Sequence, residues 1–239
     1  MEILRFILGG VLPYVAVVVF LAAMIHRIHV WRKLPSPPIT LFPARETPGG
    51  NKINTVKEAT LFTSLFRGDR LLWAFAWGFH VVLALIFVGH LRVFTNADSL
   101  LMTMGMGEGA IQAMSGGAGG AAGVVVLATA LFLLARRLII PRVREITNFG
   151  DVFALALVGA ILITGNMMRF AAEHFDLVLA RDYFASLATF GGIGDATVLG
   201  NNVFLLHMTL AFVLIMYIPF SKILHFGGIF FTHQLIHKH

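Results

Sequence analysis

Long apolar runs separated by short polar segments set the pattern of this chain. A helix that crosses a bilayer needs about 20 mostly apolar residues. Five stretches meet that requirement, at residues 6–25, 71–94, 117–138, 149–170 and 203–224. The pattern predicts an all-α, five-helix membrane bundle, with residues 1–239 forming a single membrane domain. The first run exceeds a signal-peptide core and its basic residues follow it, which favours an uncleaved first transmembrane helix.

Composition agrees with a membrane location. The mean hydropathy is +0.84, 58% of the residues are hydrophobic and only 13% are charged, which is typical of integral membrane proteins. The chain contains no cysteine. This excludes disulfides, a covalent c-type haem and thiolate-held iron–sulfur clusters within the chain, so any iron–sulfur chemistry must belong to a partner.

The charged residues are unevenly distributed among the loops that connect the five predicted helices. The net charge of +6 therefore does not indicate a nucleic-acid-binding protein. Basic residues dominate the first and third connections, namely Arg27, Arg32, Lys33, Arg45, Lys52, Lys57, Arg67 and Arg70, then Arg136, Arg137, Arg142 and Arg144. Acidic residues dominate the second and fourth, namely Asp98, Glu108, Glu173, Asp176, Asp182 and Asp195. Basic loops stay in the cytoplasm. We therefore expect the N-terminus outside and the C-terminus inside, in the cytoplasmic membrane of a prokaryotic cell.

Four histidines lie within the second and fifth apolar segments. His80 and His90 are ten residues apart, and His207 and His225 are eighteen residues apart. A histidine in hydrocarbon is costly unless it is paired or ligated. Because the two helices run antiparallel, depth pairs His80 with His225 at an inner site and His90 with His207 at an outer site. Neutral imidazoles are axial haem ligands, so the pattern predicts two bis-histidine b-type haems whose irons these four residues hold.

The helical period makes a further prediction about the ligand faces. Eighteen residues are five full turns, so His207 and His225 would share one face of a continuous fifth helix. Ten residues leave His80 and His90 offset by roughly 80° around the second helix. The haem planes or helix axes would then have to tilt.

The third helix begins with an unusually small-residue-rich run, Gly116–Gly123. Small residues spaced four apart allow two helices to approach closely. Helix packing is the favoured interpretation, and a close approach to a haem or quinone ring is the alternative.

The histidine spacing carries a resemblance to a known family. His-x9-His on the second helix, His-x17-His on the fifth and the closing segment Pro219-Phe220-Ser221-Lys222-Ile223-Leu224-His225 resemble the gamma subunit of respiratory nitrate reductase, a dihaem cytochrome b. The stretch Ser64-Leu65-Phe66-Arg67 before Trp73 resembles one branch of that family. This is the DsrM branch, found in membrane complexes linked to dissimilatory sulfite reductase and in heterodisulfide-reductase-like complexes. The resemblance covers all five helices.

The resemblance implies two haem b groups and a quinone site near the outer haem. The family has a quinol-associated lysine after its second helix, whereas this chain has none between Lys57 and Lys222. Other polar groups near the outer face could contact a quinone or a haem propionate. They are Arg92, Glu108, Gln112, Asn166 and Arg169. For Arg92 and Arg169 we favour propionate pairing or interfacial snorkelling.

The resulting interpretation is an electron-transfer subunit with no catalytic residues of its own. It would pass electrons between a menaquinone or other quinone pool and a cytoplasmic iron–sulfur subunit of HdrD/DsrK type in a sulfur-metabolism complex. Membrane lipid and further membrane and periplasmic cytochrome subunits complete the expected partners. One alternative is the cytochrome b subunit of a nitrate reductase, hydrogenase or formate dehydrogenase. The other is a haem-free transporter, which would normally need carboxylates in mid-membrane.

Overall fold

The computed structural model describes residues 2–33, 56–171, 176–194 and 196–225, and these are helical or connecting segments without a strand. Five of the helices are long and apolar enough to cross a membrane. The predicted all-α class and the five spans are therefore confirmed. Four residues used in the charge argument lie outside the described residues, namely Arg45, Lys52, Glu173 and Asp195.

The helices are numbered here in chain order. The five long helices are α1 (Glu2–Lys33), α3 (Arg70–Phe94), α5 (Glu108–Ile139), α7 (Phe149–Phe170) and α9 (Asn202–Tyr217). The shorter ones are α2 (Thr63–Gly68), α4 (Ala97–Thr103), α6 (Pro141–Glu145) and α8 (Leu177–Ala188).

Side-chain caps explain where several helices begin. The first turn of a helix leaves backbone N–H groups without partners, and Asp or Asn side chains can accept from them. Asp69 accepts from Leu72 at the start of α3. Asn201 opens α9 in the same way. Asn148 and Asp151 form a reciprocal capping box at α7.

The long helices α1 and α5 extend beyond their predicted apolar cores. At 1.5 Å per residue, the 32 residues of α5 span about 48 Å, compared with about 30 Å of hydrocarbon. Hydropathy marks the part of a helix in hydrocarbon, whereas hydrogen bonding continues the helix into the polar region. In α1, a π-helical turn at Ile7–Val11 contains Gly9, whose carbonyl accepts a 2.6 Å hydrogen bond from buried Tyr183.

The fifth helix is shorter than predicted, and this is a correction. Regular α-helix ends at Tyr217, and two short 3₁₀ turns follow at Ile218–Phe220 and Lys222–Leu224. Pro219 causes the break because it has no N–H to donate and its ring crowds the preceding turn. The prediction that His207 and His225 share one face of a continuous helix is therefore wrong.

The long helices pack in an ordered series. α3 packs against α5, α5 against α7, α7 against α9, and α9 against α1. Phe79, Val126, Ala130 and Leu162 form one buried cluster between α3, α5 and α7. α3 and α9 are not among the closely packed pairs. Their approach to each other is instead made by the histidine side chains described below.

The glycine-rich start of α5 is a packing surface for α7, as the sequence favoured. A Cβ at Gly123 would collide with the side chain of Asn166, and one at Gly119 would lie 2.8 Å from Arg169. The Asn166 amide donates 2.9 Å to the Gly123 carbonyl. At Gly117, in contrast, a Cβ would have no heavy atom within 4 Å.

This contrast gives a matched pair of substitutions. Gly123→Val should destabilise the protein by about 1–3 kcal/mol because the added side chain overpacks the α5–α7 contact. Gly117→Val makes the same chemical change in open space and should leave stability nearly unchanged. Thermal unfolding in detergent measures both, and equal effects would contradict the packing role.

Candidate functional site

The inner pair of histidines meets as the sequence predicted. His80 lies in mid-α3, and His225 follows the last 3₁₀ turn. Their ring centroids are 5.8 Å apart and the ring planes are nearly perpendicular, at 86°. The break at Pro219 therefore brings His225 back to α3 without requiring a continuous helix.

The outer pair also meets. His90 of α3 and His207 of α9 have ring centroids 6.4 Å apart, and their planes are close to parallel, at 13°. Gly165 allows this arrangement because a Cβ there would lie 3.2 Å from the His207 ring. Both pairs thus link the same two helices at different depths.

Each of the four rings is oriented by a hydrogen bond at Nδ1. The acceptor is the Ala76 carbonyl for His80, at 2.7 Å, and the Ile86 carbonyl for His90, at 2.7 Å. For His225 it is the Lys222 carbonyl at 2.9 Å. His207 lies 3.1 Å from the Ile161 carbonyl and 3.0 Å from the Thr164 hydroxyl. A proton held on Nδ1 leaves the Nε2 lone pair as the metal-binding atom.

The spacing of the pairs is close to that of two imidazoles with one metal ion between them. A metal held about 2 Å from one nitrogen of each ring places the ring centroids roughly 6 to 6.5 Å apart. The outer pair, at 6.4 Å, lies within this range, and the inner pair, at 5.8 Å, is slightly closer. The described residues contain no group of three or more His, Cys, Asp or Glu side chains that could hold a metal. The arrangement therefore suits a metal that brings its own equatorial ligands, as haem iron does.

Aromatic side chains surround His80. Phe62 and Phe79 make edge contacts with its ring at centroid distances of 5.1 and 5.3 Å. Phe62 has a left-handed backbone, with φ of 52° and ψ of 48°. Such strain in a bulky residue often marks functional positions. The family-like stretch in the sequence begins two residues later, at Ser64. Phe62 itself was not predicted, because a single residue in a turn produces no periodic pattern of apolar positions.

Two tryptophans hold the segment before α2 against α3. The Trp73 indole donates to the Leu61 carbonyl at 2.8 Å, and the Trp77 indole donates to the Thr60 carbonyl at 3.0 Å. This folds the residues around Phe62 over the inner half of α3.

An ionic cluster lies beside His225. The Asp151 carboxylate is buried and lies 3.0 Å from the Lys222 ammonium and 3.8 Å from Arg137. In the sequence, Lys222 belongs to the closing motif, and nothing there links it to Asp151, which lies 71 residues earlier in a different helix.

A second ionic cluster joins three helices at the other end of α3. Arg92 forms two hydrogen bonds with Asp98, at 2.6 and 3.1 Å. Arg181 of α8 lies 3.5 Å from the same carboxylate and donates to the Arg92 carbonyl. The bond from Arg92 lowers the pKa of Asp98 below its usual value, and burial opposes that shift. Arg92 is therefore engaged with Asp98, an interaction that the sequence did not predict.

The other expected quinone or propionate contacts are not gathered into one site. Asn166 packs into the α5–α7 contact, and Arg169 lies 3.3 Å from the Ser115 hydroxyl of α5. Glu108 and Gln112 are exposed on the first turns of α5. Since they are four residues apart, they lie on the same face of that helix.

α8 was not predicted, and it lies within the fourth connection between the apolar segments. α8 buries Ala180, Tyr183 and Leu187 against α1, α9 and the turn at Ala196–Gly200. The three- and four-residue spacing and the capping residue Asp176 could have revealed this helix. Its apolar stripe is too short to cross a membrane, so a search for spans passes over it.

These features define a multi-pass helical membrane protein with two paired-histidine sites on the same two helices. Residues 54–236 match the nitrate reductase gamma subunit family. The chain belongs to that family, as its histidine spacing predicted.

The chain is similar to subunits of two kinds of oxidoreductase. The chain is 30% identical to the Hdr-like menaquinol oxidoreductase cytochrome b-like subunit of Archaeoglobus fulgidus, over 95% of this chain and 78% of the relative. The corresponding subunit of Archaeoglobus profundus is 28% identical, over 92% and 76%. The respiratory nitrate reductase 1 gamma chain of Escherichia coli is 32% identical, over 63% and 69%.

The outer ionic cluster predicts a pH-dependent contribution to stability. Because folding lowers the pKa of Asp98, its contribution is present above the unfolded value of about 3.9 and is lost as pH falls through the folded value. Asp98→Asn should lower the melting temperature at neutral pH, and its difference from the wild type should shrink below pH of about 4. Exposed Asp182→Asn is the control. A difference that does not change with pH would contradict this role.

Proposed function

We propose that this protein is a dihaem b-type cytochrome subunit of a membrane quinol oxidoreductase. His80 and His225 would hold the iron of one haem, and His90 and His207 the iron of the other. The observation that carries this proposal is the meeting of both pairs at a spacing close to that of two imidazoles on one metal, with every Nδ1 hydrogen-bonded to a backbone carbonyl.

Haem fits these residues better than a protein-only metal centre. A zinc site normally needs three or four protein ligands, and each pair offers two. A haem iron has four macrocycle nitrogens and needs only axial ligands, while apolar helices exclude water around it. When bound, haem b supplies a one-electron carrier. The histidines then hold the iron, and their backbone hydrogen bonds fix the direction of each imidazole.

The positions of the two pairs favour electron transfer across the membrane. His80 and His90 are ten residues apart along α3, which is about 15 Å at the helical rise. Two carriers at that separation, on helices that span the bilayer, would connect its two faces. This is a reason to prefer an electron conduit over a transporter.

The charge distribution supports the expected orientation. Lys222 and Arg137 lie at the His225 end of the molecule, whereas Asp98 and the acidic start of α5 lie beyond His90. By the rule that basic loops stay inside, the His80–His225 site is the cytoplasmic one. The N-terminus would then be outside and the C-terminus in the cytoplasm.

We place the quinone near the outer pair, with menaquinone as the preferred chemical class. The named activity of the Archaeoglobus relatives supports menaquinol. Glu108 and Gln112 are the candidate contacts, because a quinol needs a proton acceptor and a hydrogen-bond donor. Arg92, Asn166 and Arg169 already have partners within the protein, so they are better suited to shaping the site than to binding quinone.

The proposed electron partner is a cytoplasmic iron–sulfur subunit of HdrD/DsrK type in a sulfur-metabolism respiratory complex. The Hdr-like relatives support this, since they cover most of the chain. The similarity to a nitrate reductase gamma chain supports a second candidate, the corresponding subunit of a nitrate-reducing complex. Identification of the subunits that co-purify with the chain separates the two.

The haem assignment predicts which substitutions act on the same cofactor. His80→Ala and His225→Ala should each remove one haem, the same one, and leave about half of the pyridine-haemochrome absorbance, because one remaining imidazole holds b-type haem poorly. His90→Ala and His207→Ala should remove the other. His26→Ala, in α1, is the control and should retain both. Survival in His225→Ala of the haem that His80→Ala removes would contradict the pairing.

The quinone assignment predicts an effect on one haem. A tight-binding quinol analogue should perturb the spectrum of the haem lost in His90→Ala more than that of the other haem. Glu108→Gln should slow quinol-linked haem reduction with both haem spectra intact, because the carboxylate would accept a proton and not contact iron. Asp182→Asn serves as the control, since it removes an exposed carboxylate of α8 that has no place in the proposed quinone site. An analogue that shifts only the haem lost in His225→Ala would move the quinone site to the cytoplasmic side.

A further inference from the structure

Asp151 is the one charged residue that is buried among the residues the structure describes. It lies in the first turn of α7, where its side chain accepts from the Asn148 backbone N–H at 3.2 Å. A carboxylate in this capping position usually remains solvated. A buried charge, in contrast, needs a close partner of opposite charge.

That partner comes from the other end of the chain. Lys222 Nζ lies 3.0 Å from each oxygen of the Asp151 carboxylate. The Lys222 side chain is itself 70% exposed, so its position depends on the buried carboxylate more than on packing. Arg137 of α5 approaches the same group at 3.8 Å. The carboxylate thus connects the start of α7, the end of α5 and the 3₁₀ turn that begins at Lys222.

Lys222 also contacts His225 directly. Its carbonyl accepts the hydrogen bond from His225 Nδ1 at 2.9 Å. One residue therefore holds the imidazole with its backbone and Asp151 with its side chain. His80 has no such requirement, because its Nδ1 acceptor is the carbonyl of Ala76, four residues earlier in the same helix.

The local structure shows why His225 needs this support. The helix has already ended at Tyr217, and His225 follows a turn of only three residues. That turn has its own 3₁₀ hydrogen bonds, from the Leu224 N–H to the Ser221 carbonyl and from the His225 N–H to the Lys222 carbonyl, and does not continue the hydrogen bonding of α9. Besides Lys222, a 3.2 Å hydrogen bond from the Tyr217 hydroxyl to the Gly150 carbonyl also connects this end of α9 to the start of α7.

We propose that Asp151 is a positioning residue for the inner haem ligand, acting on His225 through Lys222. The carboxylate fixes the Lys222 turn against α7 and so fixes the imidazole that faces His80. It also places a negative charge near that iron. This inference rests on the proposed function, because it takes His225 as a ligand.

The test is Asp151→Asn, which keeps the side-chain shape and a carbonyl that can accept from Asn148. Redox titration and low-spin ferric EPR of the purified holoprotein follow each haem separately. The midpoint potential of the haem lost in His225→Ala should rise, because the charges of Lys222 and Arg137 lose their counterion. Its EPR signal should broaden or shift, while the other haem stays unchanged. Asp98→Asn makes the same substitution at the outer end and should leave the inner haem unaffected.

Substitutions at Lys222 keep the proposal falsifiable if Asp151→Asn folds poorly. Lys222→Met should lower occupancy of the inner haem or alter its EPR signal, and Lys222→Arg should restore both. The proposal is overturned if Lys222→Met and every Asp151→Asn preparation that folds leave that haem unchanged. It is also overturned if both haems are lost together with the fold, which would make Asp151 merely structural. If His225→Ala itself retains both haems, the assignment of His225 as a ligand fails instead.

Discussion

Hydrocarbon offers no hydrogen-bond partners, and this constraint shapes every part of the bundle. Backbone groups satisfy it by forming helices. The polar ring nitrogens of a histidine also need hydrogen-bond partners. For both His80 and His90, Nδ1 bonds to the carbonyl four residues earlier in α3. That bond also leaves Nε2 as the atom available for a metal. The solution that makes an imidazole tolerable in a membrane therefore also prepares it as a ligand, and the paired histidines follow from it.

The constraint also explains what the sequence could predict. Five spans follow from the length of apolar runs, and the pairing of His80 with His225 and of His90 with His207 follows from depth on antiparallel helices. The meeting of the rings confirms that geometry. Depth does not depend on the detailed path of the chain. For that reason the rings meet in the predicted pairs although the continuous helix through His225 was wrong.

The features that were missed depend on contacts between distant segments. No local pattern links Asp151 to Lys222, which are 71 residues apart. The left-handed turn at Phe62 follows from the way Trp73 and Trp77 hold the preceding segment. Pro219 was visible in the sequence, and its effect on helix geometry is general. The sequence could not predict that the segment after Pro219 still places His225 beside α3. That position depends on the ion pair between Lys222 and Asp151 of α7.

The two histidine sites are therefore built differently from the same residue type. At the outer site both histidines lie in regular helices, and their rings are nearly parallel. At the inner site His225 directly follows a 3₁₀ turn that an ion pair holds, and the rings are nearly perpendicular. Two such pairs would hold haem irons in different surroundings, and nearby charge would change which oxidation state each iron favours. An electron passing along such a chain would therefore meet two unequal carriers, and that inequality arises where Pro219 ends α9.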